Sequence, residues 1–88
     1  MEELVLKIGK DTNFIKAAKS IQDLLIKGID VYVDVIGVAA NYIATKSFIQ
    51  VNKESMVYGY MVTFSPSYVE LTTASGQKTA IRWQVVRM

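Results

Sequence analysis

Four basic side chains and two glycines are the residues of this sequence best suited to do chemistry, and that chemistry is phosphate binding. The basic residues are Lys10, Lys46, Lys78 and Arg82. Lys78 and Arg82 are four residues apart in a strand-like segment, so their side chains point the same way, about 13 Å apart. This spacing allows contact with two phosphates, which supplies charge rather than recognition of a base.

The two glycines, Gly9 and Gly37, each stand where a strand-like run gives way to a helix-like run. Such a turn presents backbone N–H groups at the start of a helix, where the helix dipole favours an anion. The simpler interpretation of Gly37 is that a tight turn requires it. Lys46 is open to a similar interpretation, as a solvated side chain on a helix. The sequence contains neither of the common glycine-rich nucleotide-binding loops.

Catalysis has little support in the composition. The sequence contains no histidine and no cysteine, which removes the commonest general base, the thiolate nucleophile and the preferred zinc ligands. Asp30 and Asp34 share one face of a predicted strand and can form a carboxylate pair, but no nucleophile is indicated nearby. We therefore predict that the chain is not an enzyme and carries no metal or organic cofactor.

The first half of the chain has the pattern of two strand-helix units. Alternating apolar residues predict strands over residues 3–8 and 31–36. A helix is predicted between a cap at Thr12 or Asn13 and the terminal glycine Gly28. A second helix is predicted from residue 38 to about residue 53.

The second half of the chain is predicted to be strand. Alternation begins at residue 56, the segment 65–67 interrupts it, and it resumes over residues 68–73. A hairpin turn at residues 74–77 leads to a last strand over residues 79–87. The predicted order of elements is therefore β-α-β-α-β-β.

This order predicts a single α+β domain over residues 1–88, in which two helices cover one face of a four-stranded mixed sheet. Right-handed crossovers place both helices on the same side. The other face then displays residues such as Val5, Tyr32 and Ile36, which is more apolar surface than a small monomer usually exposes. We therefore expect a homodimer or a higher homo-oligomer.

The charge distribution and the start of the sequence bear on partners and location. The net charge is +2, and beyond Glu70 the chain carries Lys78, Arg82 and Arg87 with no acidic residue. The acidic residues Glu2 and Glu3 are unlike a secretory signal, and no apolar run approaches the roughly 20 residues needed to cross a bilayer. We expect a cytoplasmic protein that does not enter a membrane.

Three local strings are similar to those of a known family. Ile8-Gly9-Lys10 looks like the Ile-Gly-Lys-Lys turn of Alba proteins. Ile36-Gly37-Val38-Ala39-Ala40, followed by Ala44 and Lys46, is similar to their Ile-Gly-x-x-Ala and Ala-x-Lys pattern. Thr79-Ala80-Ile81 is similar to the closing strand of the stage V sporulation protein S family, which belongs to the Alba-like group. Over nearly its whole length, the chain resembles that family.

The resemblance implies an Alba-like two-layer sandwich, a homodimer or higher oligomer, and a regulatory or nucleic-acid-binding role connected with spore formation. Alba proteins are thought to bind through basic residues in the turn after the first strand, at the second helix and on a hairpin arm. Lys10, Lys46 and Lys78 stand at or beside those positions here. The chain departs from the pattern at Asp11, which replaces a second basic residue, and in the uncharged turn at residues 74–77.

The leading prediction is a regulatory protein that binds DNA or RNA phosphates non-specifically as an oligomer. The alternative is an oligomeric interaction module that binds no nucleic acid, and the thin distribution of basic residues around Lys10 favours it. Some aromatic side chains can stack on unpaired bases, although aromatic residues of strands more often belong to a core or an interface. They are Tyr58, Tyr60, Tyr68 and Trp83.

Overall fold

A computed structural model describes residues 2–88, which form a four-stranded mixed sheet with two helices on one face. The elements are β1 (Glu3–Lys7), α1 (Phe14–Ile26), β2 (Asp30–Val35), α2 (Val38–Val57), β3 (Val62–Thr73) and β4 (Gly76–Arg87). The strand order is β1-β2-β4-β3, with β1 parallel to β2 and the other neighbours antiparallel. The predicted fold class and order of elements are confirmed.

The core lies between the sheet and the helices. Alternate residues of β2, namely Val31, Val33 and Val35, are buried and pair with the helix-facing residues of β4. The Phe48 ring of α2 stacks on Phe64 with 4.2 Å between ring centroids and meets an edge of Trp83 at 5.3 Å. Trp83 therefore packs against the core, as the pattern of strand aromatics favoured.

Two residues, Asn13 and Gly28, determine where α1 begins and ends. The Asn13 side chain accepts hydrogen bonds from the N–H groups of Ile15 and Lys16, at 3.0 and 3.1 Å, so Asn13 is the cap. Gly28 follows the helix with φ of +76°, a conformation that glycine adopts without strain.

Replacing Asn13 by Ala is expected to lower the free energy of unfolding by about 1 kcal/mol, because two N–H groups of the first turn lose their acceptor. Urea denaturation measures this change. The matched control is Ser20→Ala, an exposed position inside the same helix, which is expected to change stability by less than about 0.5 kcal/mol. Equal effects of the two substitutions would contradict the capping role.

The strand predicted from residue 56 was wrong over its first six residues. Helix α2 continues to Val57, with Val51 and Ser55 buried one turn apart on the same face, and Gly59 follows the helix with φ of +84°. Strand β3 begins at Val62, whose N–H group donates to the Asn52 side chain at 3.1 Å. Alternating tyrosines in a helix end and a turn had produced a strand-like pattern.

The interruption predicted at residues 65–67 was also wrong. Strand β3 runs through Pro66, which pairs with Trp83 of β4. Strand β3 lies at the edge of the sheet, and an edge strand tolerates proline because one side of its backbone has no neighbouring strand. The last strand begins at Gly76, three residues earlier than predicted.

The β3–β4 hairpin extends well beyond the rest of the sheet. Strand β2 pairs with β4 only as far as Val35 and Ile81, so residues 69–80 form a two-stranded hairpin arm. The protein is elongated as a result, with principal extents of 42 × 28 × 18 Å. Of the residues that the structure describes, no helix is long and apolar enough to cross a membrane.

Candidate nucleic-acid interface

The predicted site residues of the two strand-to-helix turns lie at one end of the molecule. Strands β1 and β2 are parallel, with Lys7 opposite Asp34, and the Ile8 N–H group donates to the Asp34 carbonyl at 3.2 Å. The chain therefore leaves both strands at the same edge, through Gly9 and Gly37. We call this edge the β1/β2 carboxyl end.

The hairpin arm extends past the same end, because β4 is antiparallel to β2 and pairs with it only from Ile81 onward. A cavity of about 310 Å³ is lined from both sides, by the β1/β2 carboxyl end and by the arm. Its lining residues are Lys7, Ile8, Gly9, Asp34, Ile36, Leu71, Thr72 and Thr73. Leu71 pairs with Lys78 across the hairpin, so Lys78 lies beside this cavity. The structure thus brings the Lys78 segment of the arm close to the Gly9 turn.

The Gly9 turn is closed by its own hydrogen bonds. The Gly9 N–H group donates to Thr12 Oγ1 at 2.9 Å, and the Thr12 N–H group donates back to the Gly9 carbonyl at 3.2 Å. The Gly9 N–H group therefore already has an acceptor, and the turn leaves the Lys10 side chain exposed. At this turn the Lys10 side chain, rather than the Gly9 N–H group, is available to bind an anion.

The Gly37 turn is more open. Gly37 has φ of +88°, which a residue with a Cβ atom rarely adopts, so the tight-turn interpretation is supported. Gly37 is also the N-cap of α2, and within residues 2–88 no side chain accepts from the first N–H groups of this helix. Asn41 Nδ2 donates to the Gly37 carbonyl at 3.0 Å and fixes the turn. The start of α2 therefore keeps free donors beside the helix dipole.

Lys46 is not a freely solvated side chain. Its Nζ atom lies 4.3 Å from the ring centroid of Phe14 and 5.3 Å from that of Tyr42, which are cation–π distances. Phe14 is the first residue of α1, so this contact holds the Lys46 ammonium group near the start of that helix, while Lys46 itself lies well inside α2. Lys46 therefore lies toward the same end as the two glycine turns.

Arg82 has a partner that the sequence did not indicate. Its Nε and Nη2 atoms donate to Asp34 Oδ1 and Oδ2, at 2.8 and 2.9 Å. The Asp34 side chain is 3% exposed and that of Arg82 is 32% exposed. The hydrogen bond to Asp34 raises the pKa of Arg82 above its ordinary value. The Arg82 guanidinium group also lies 6.0 Å from the Tyr32 ring centroid.

Because of this ion pair, Asp30 and Asp34 do not form the carboxylate pair that the sequence allowed. Both oxygens of Asp34 are occupied by Arg82, whereas Asp30 is exposed at the start of β2. The two groups do not share a proton or a ligand in this arrangement. Asp34 and Arg82 stand opposite each other on β2 and β4, so only knowledge of the strand register could have identified the pair from the sequence.

The charge around the β1/β2 carboxyl end is positive but modest. Lys7 adds to Lys10, Lys46 and Lys78 there, and sequence analysis had not selected it. Two acidic side chains oppose them: Asp11 in the first turn, and Glu70 on the arm, where it accepts a hydrogen bond from Thr79 at 2.7 Å. A surface of this kind is suited to a few phosphate contacts.

Comparison with protein families supports the resemblance that the sequence motifs indicate. The family model of stage V sporulation protein S matches residues 4–88, nearly the whole chain. A search of curated proteins gives no match.

Proposed function

The chain belongs to the stage V sporulation protein S family, and we propose that this sporulation-related protein is a regulator that binds the phosphates of DNA or RNA as a homo-oligomer. The observation that carries the proposal is the convergence of the Lys10 turn, the Gly37 turn and the arm with Lys78 at the β1/β2 carboxyl end. These groups are far apart in the sequence and come together only through the fold.

The proposed contacts are electrostatic. Lys10 and Lys78 are exposed, Phe14 holds Lys46 near the start of α1, and within residues 2–88 the first N–H groups of α2 have no side-chain acceptor. A lysine ammonium group is a point charge that suits a phosphate and does not read a base edge by itself. Binding is therefore expected to depend weakly on nucleotide sequence and strongly on salt.

Binding of wild-type protein across salt concentrations tests the proposal. Three lysine contacts per protomer predict a slope of log K against log salt of about −3, and about −5 when two protomers reach the same duplex. Fluorescence anisotropy with two unrelated DNA duplexes and one single-stranded RNA measures the slope. Absence of binding to all three at ~50 mM salt, where phosphate contacts are strongest, would favour the interaction module without nucleic-acid binding.

Oligomerisation would strengthen such binding, since linked sites multiply few contacts per protomer. We place the interface where the arm joins the sheet, on the side of β3 and β4 that faces the helices. Tyr68 is 80% exposed there and pairs with Ile81, and together with Pro66 and Trp83 these residues line a cavity of about 370 Å³. Exposed aromatic side chains of this kind are typical interface anchors.

This location differs from the sheet face expected from the sequence. Val5 and Ile36 are exposed to about the same moderate degree, and Tyr32 is half-buried beside Arg82. The most exposed aromatic ring of the chain is instead Tyr68, on the opposite side of the sheet.

Tyr68→Glu is expected to convert the oligomer to a species of 9.8 kDa, because the carboxylate would be buried without a partner at the interface. Light scattering at micromolar concentration measures the mass. Tyr58→Glu is the matched control, since Tyr58 is 78% exposed at the end of α2; its oligomer is expected to persist. A wild-type protein that is already monomeric would contradict the proposed assembly.

A further inference from the structure

The Asp34–Arg82 pair stands at the root of the hairpin arm. Five residue pairs join β2 to β4, and Asp34 with Arg82 is the pair before the last, which is Val35 with Ile81. Beyond that point the arm pairs only with itself. The direction in which the arm leaves the sheet is therefore fixed by the contacts of these last two pairs.

The same carboxylate also meets the far part of the arm. Asp34 lines the cavity that Leu71, Thr72 and Thr73 line from the other side. Its side chain is 3% exposed although it lies on the face of the sheet opposite the helices. Asp34 is therefore at the junction of β2, the root of the arm and residues 71–73 of the arm.

The geometry of the pair leaves Arg82 little freedom to bind another anion. Its Nε and Nη2 atoms engage both Asp34 oxygens in a two-pronged arrangement, which fixes the orientation of the guanidinium plane as well as its charge. Withdrawing Arg82 toward a phosphate would leave the buried Asp34 carboxylate unpaired, which is strongly unfavourable. Arg82 therefore differs from Lys10 and Lys78, whose ammonium groups are exposed.

We propose that Asp34 and Arg82 are positioning residues that hold the hairpin arm against the β1/β2 carboxyl end, so that Lys78 and Lys10 act on one polyanion. The positioning of the arm is inferred from the structure of the free protein and does not depend on nucleic-acid binding. Its effect on polyanion binding rests on the proposed function.

Four variants test this inference. Asp34→Asn and Arg82→Gln each break the ion pair, and Asp34→Asn/Arg82→Gln replaces both charges by amides of similar shape. Asp30→Asn is the matched control for the first, because Asp30 is an exposed carboxylate on the same strand and the same face. Urea denaturation verifies that each variant is folded; Arg82→Lys, which keeps the charge but not the two-pronged geometry, replaces Arg82→Gln if that protein does not fold.

The first readout needs no nucleic acid. Order parameters of the backbone N–H groups of residues 70–79 are expected to fall from about 0.85 to below about 0.6 in Asp34→Asn and Arg82→Gln. They are expected to remain at the wild-type value in Asp30→Asn. An arm that stays as rigid in Asp34→Asn as in wild type would overturn the inference, whatever the protein binds.

The second readout is the sign of the change in affinity for a DNA duplex at ~50 mM salt. Asp34→Asn removes a negative charge and frees Arg82, so it would strengthen binding if Arg82 were a phosphate contact. A positioning role predicts roughly tenfold weaker binding in Asp34→Asn, in Arg82→Gln and in the double variant alike, because each uncouples Lys78 from Lys10. Stronger binding by Asp34→Asn would overturn the inference. A wild-type protein that binds no duplex would refute the proposed function, and the order parameters alone would then decide the positioning of the arm.

Discussion

Arg82→Ala is expected to lower the free energy of unfolding by about 3 kcal/mol, one of the two largest effects that we predict. The substitution leaves the Asp34 carboxylate buried without its guanidinium partner, and breaking a buried ion pair in this way typically costs about 3–5 kcal/mol. The lower figure applies because Arg82 is 32% exposed, so water reaches part of the pair. Urea denaturation followed by tryptophan fluorescence measures the change, since Trp83 adjoins Arg82 in β4.

Two controls distinguish the loss of the Asp34–Arg82 ion pair from the loss of a positive charge alone. Lys10→Ala removes the same charge from an exposed turn and is expected to have the small effect of most surface substitutions. Asp34→Ala/Arg82→Ala is expected to be less destabilised than the sum of its single variants, since the double variant leaves no buried charge behind. Additive effects of the two single substitutions would show that the ion pair does not stabilise the fold.

Lys10→Ala/Lys78→Ala is expected to weaken binding to a DNA duplex roughly 100-fold at ~50 mM salt, with little change in the oligomer or its stability. Each lysine that contacts a phosphate releases about one counterion, so the salt slope should become shallower by about two units per bound protomer. The loss should be the same for two duplexes of unrelated sequence, because phosphate contacts carry no sequence information. Fluorescence anisotropy over a series of salt concentrations measures both quantities.

The matched control is Lys19→Ala/Lys27→Ala, which removes an exposed lysine of α1 and the exposed lysine that follows its last residue, and produces the same net charge. Its affinity is expected to fall far less, because these side chains lie along the helix rather than at the β1/β2 carboxyl end. Equal losses in the two double variants would indicate that only net charge matters and that no defined surface exists.

The sequence predicted the fold better than the ends of its elements. Period-two and helical patterns identified β1, α1, β2 and β4, and the Asn13 cap and the Gly28 end were visible as residue types. The end of α2 was not, because alternating tyrosines around residues 58–60 resemble a strand. Pro66 was taken as a break because its tolerance depends on β3 being an edge strand, which is a property of the whole sheet.

Individual residues of the candidate site could be predicted from the sequence, but most of their arrangement in space could not. Lys10, Gly37 and Lys78 could be selected by type and spacing, and the parallel strands implied that the first two would share an edge. The position of the arm at that edge depends on the antiparallel register of β2 and β4, for which the sequence has no simple signal. The Asp34–Arg82 pair depends on strand register, which no local sequence pattern indicates.

The most direct test of phosphate binding at the β1/β2 carboxyl end is a chemical-shift titration of the backbone N–H groups with a short DNA duplex at ~50 mM salt, where such contacts are strongest. We expect the largest changes at Lys10, Gly37 and Lys78, and smaller changes near Ile26 and Tyr58, where α1 and α2 end. Changes confined to the ends of the helices, or no change at saturating duplex, would contradict the proposed interface.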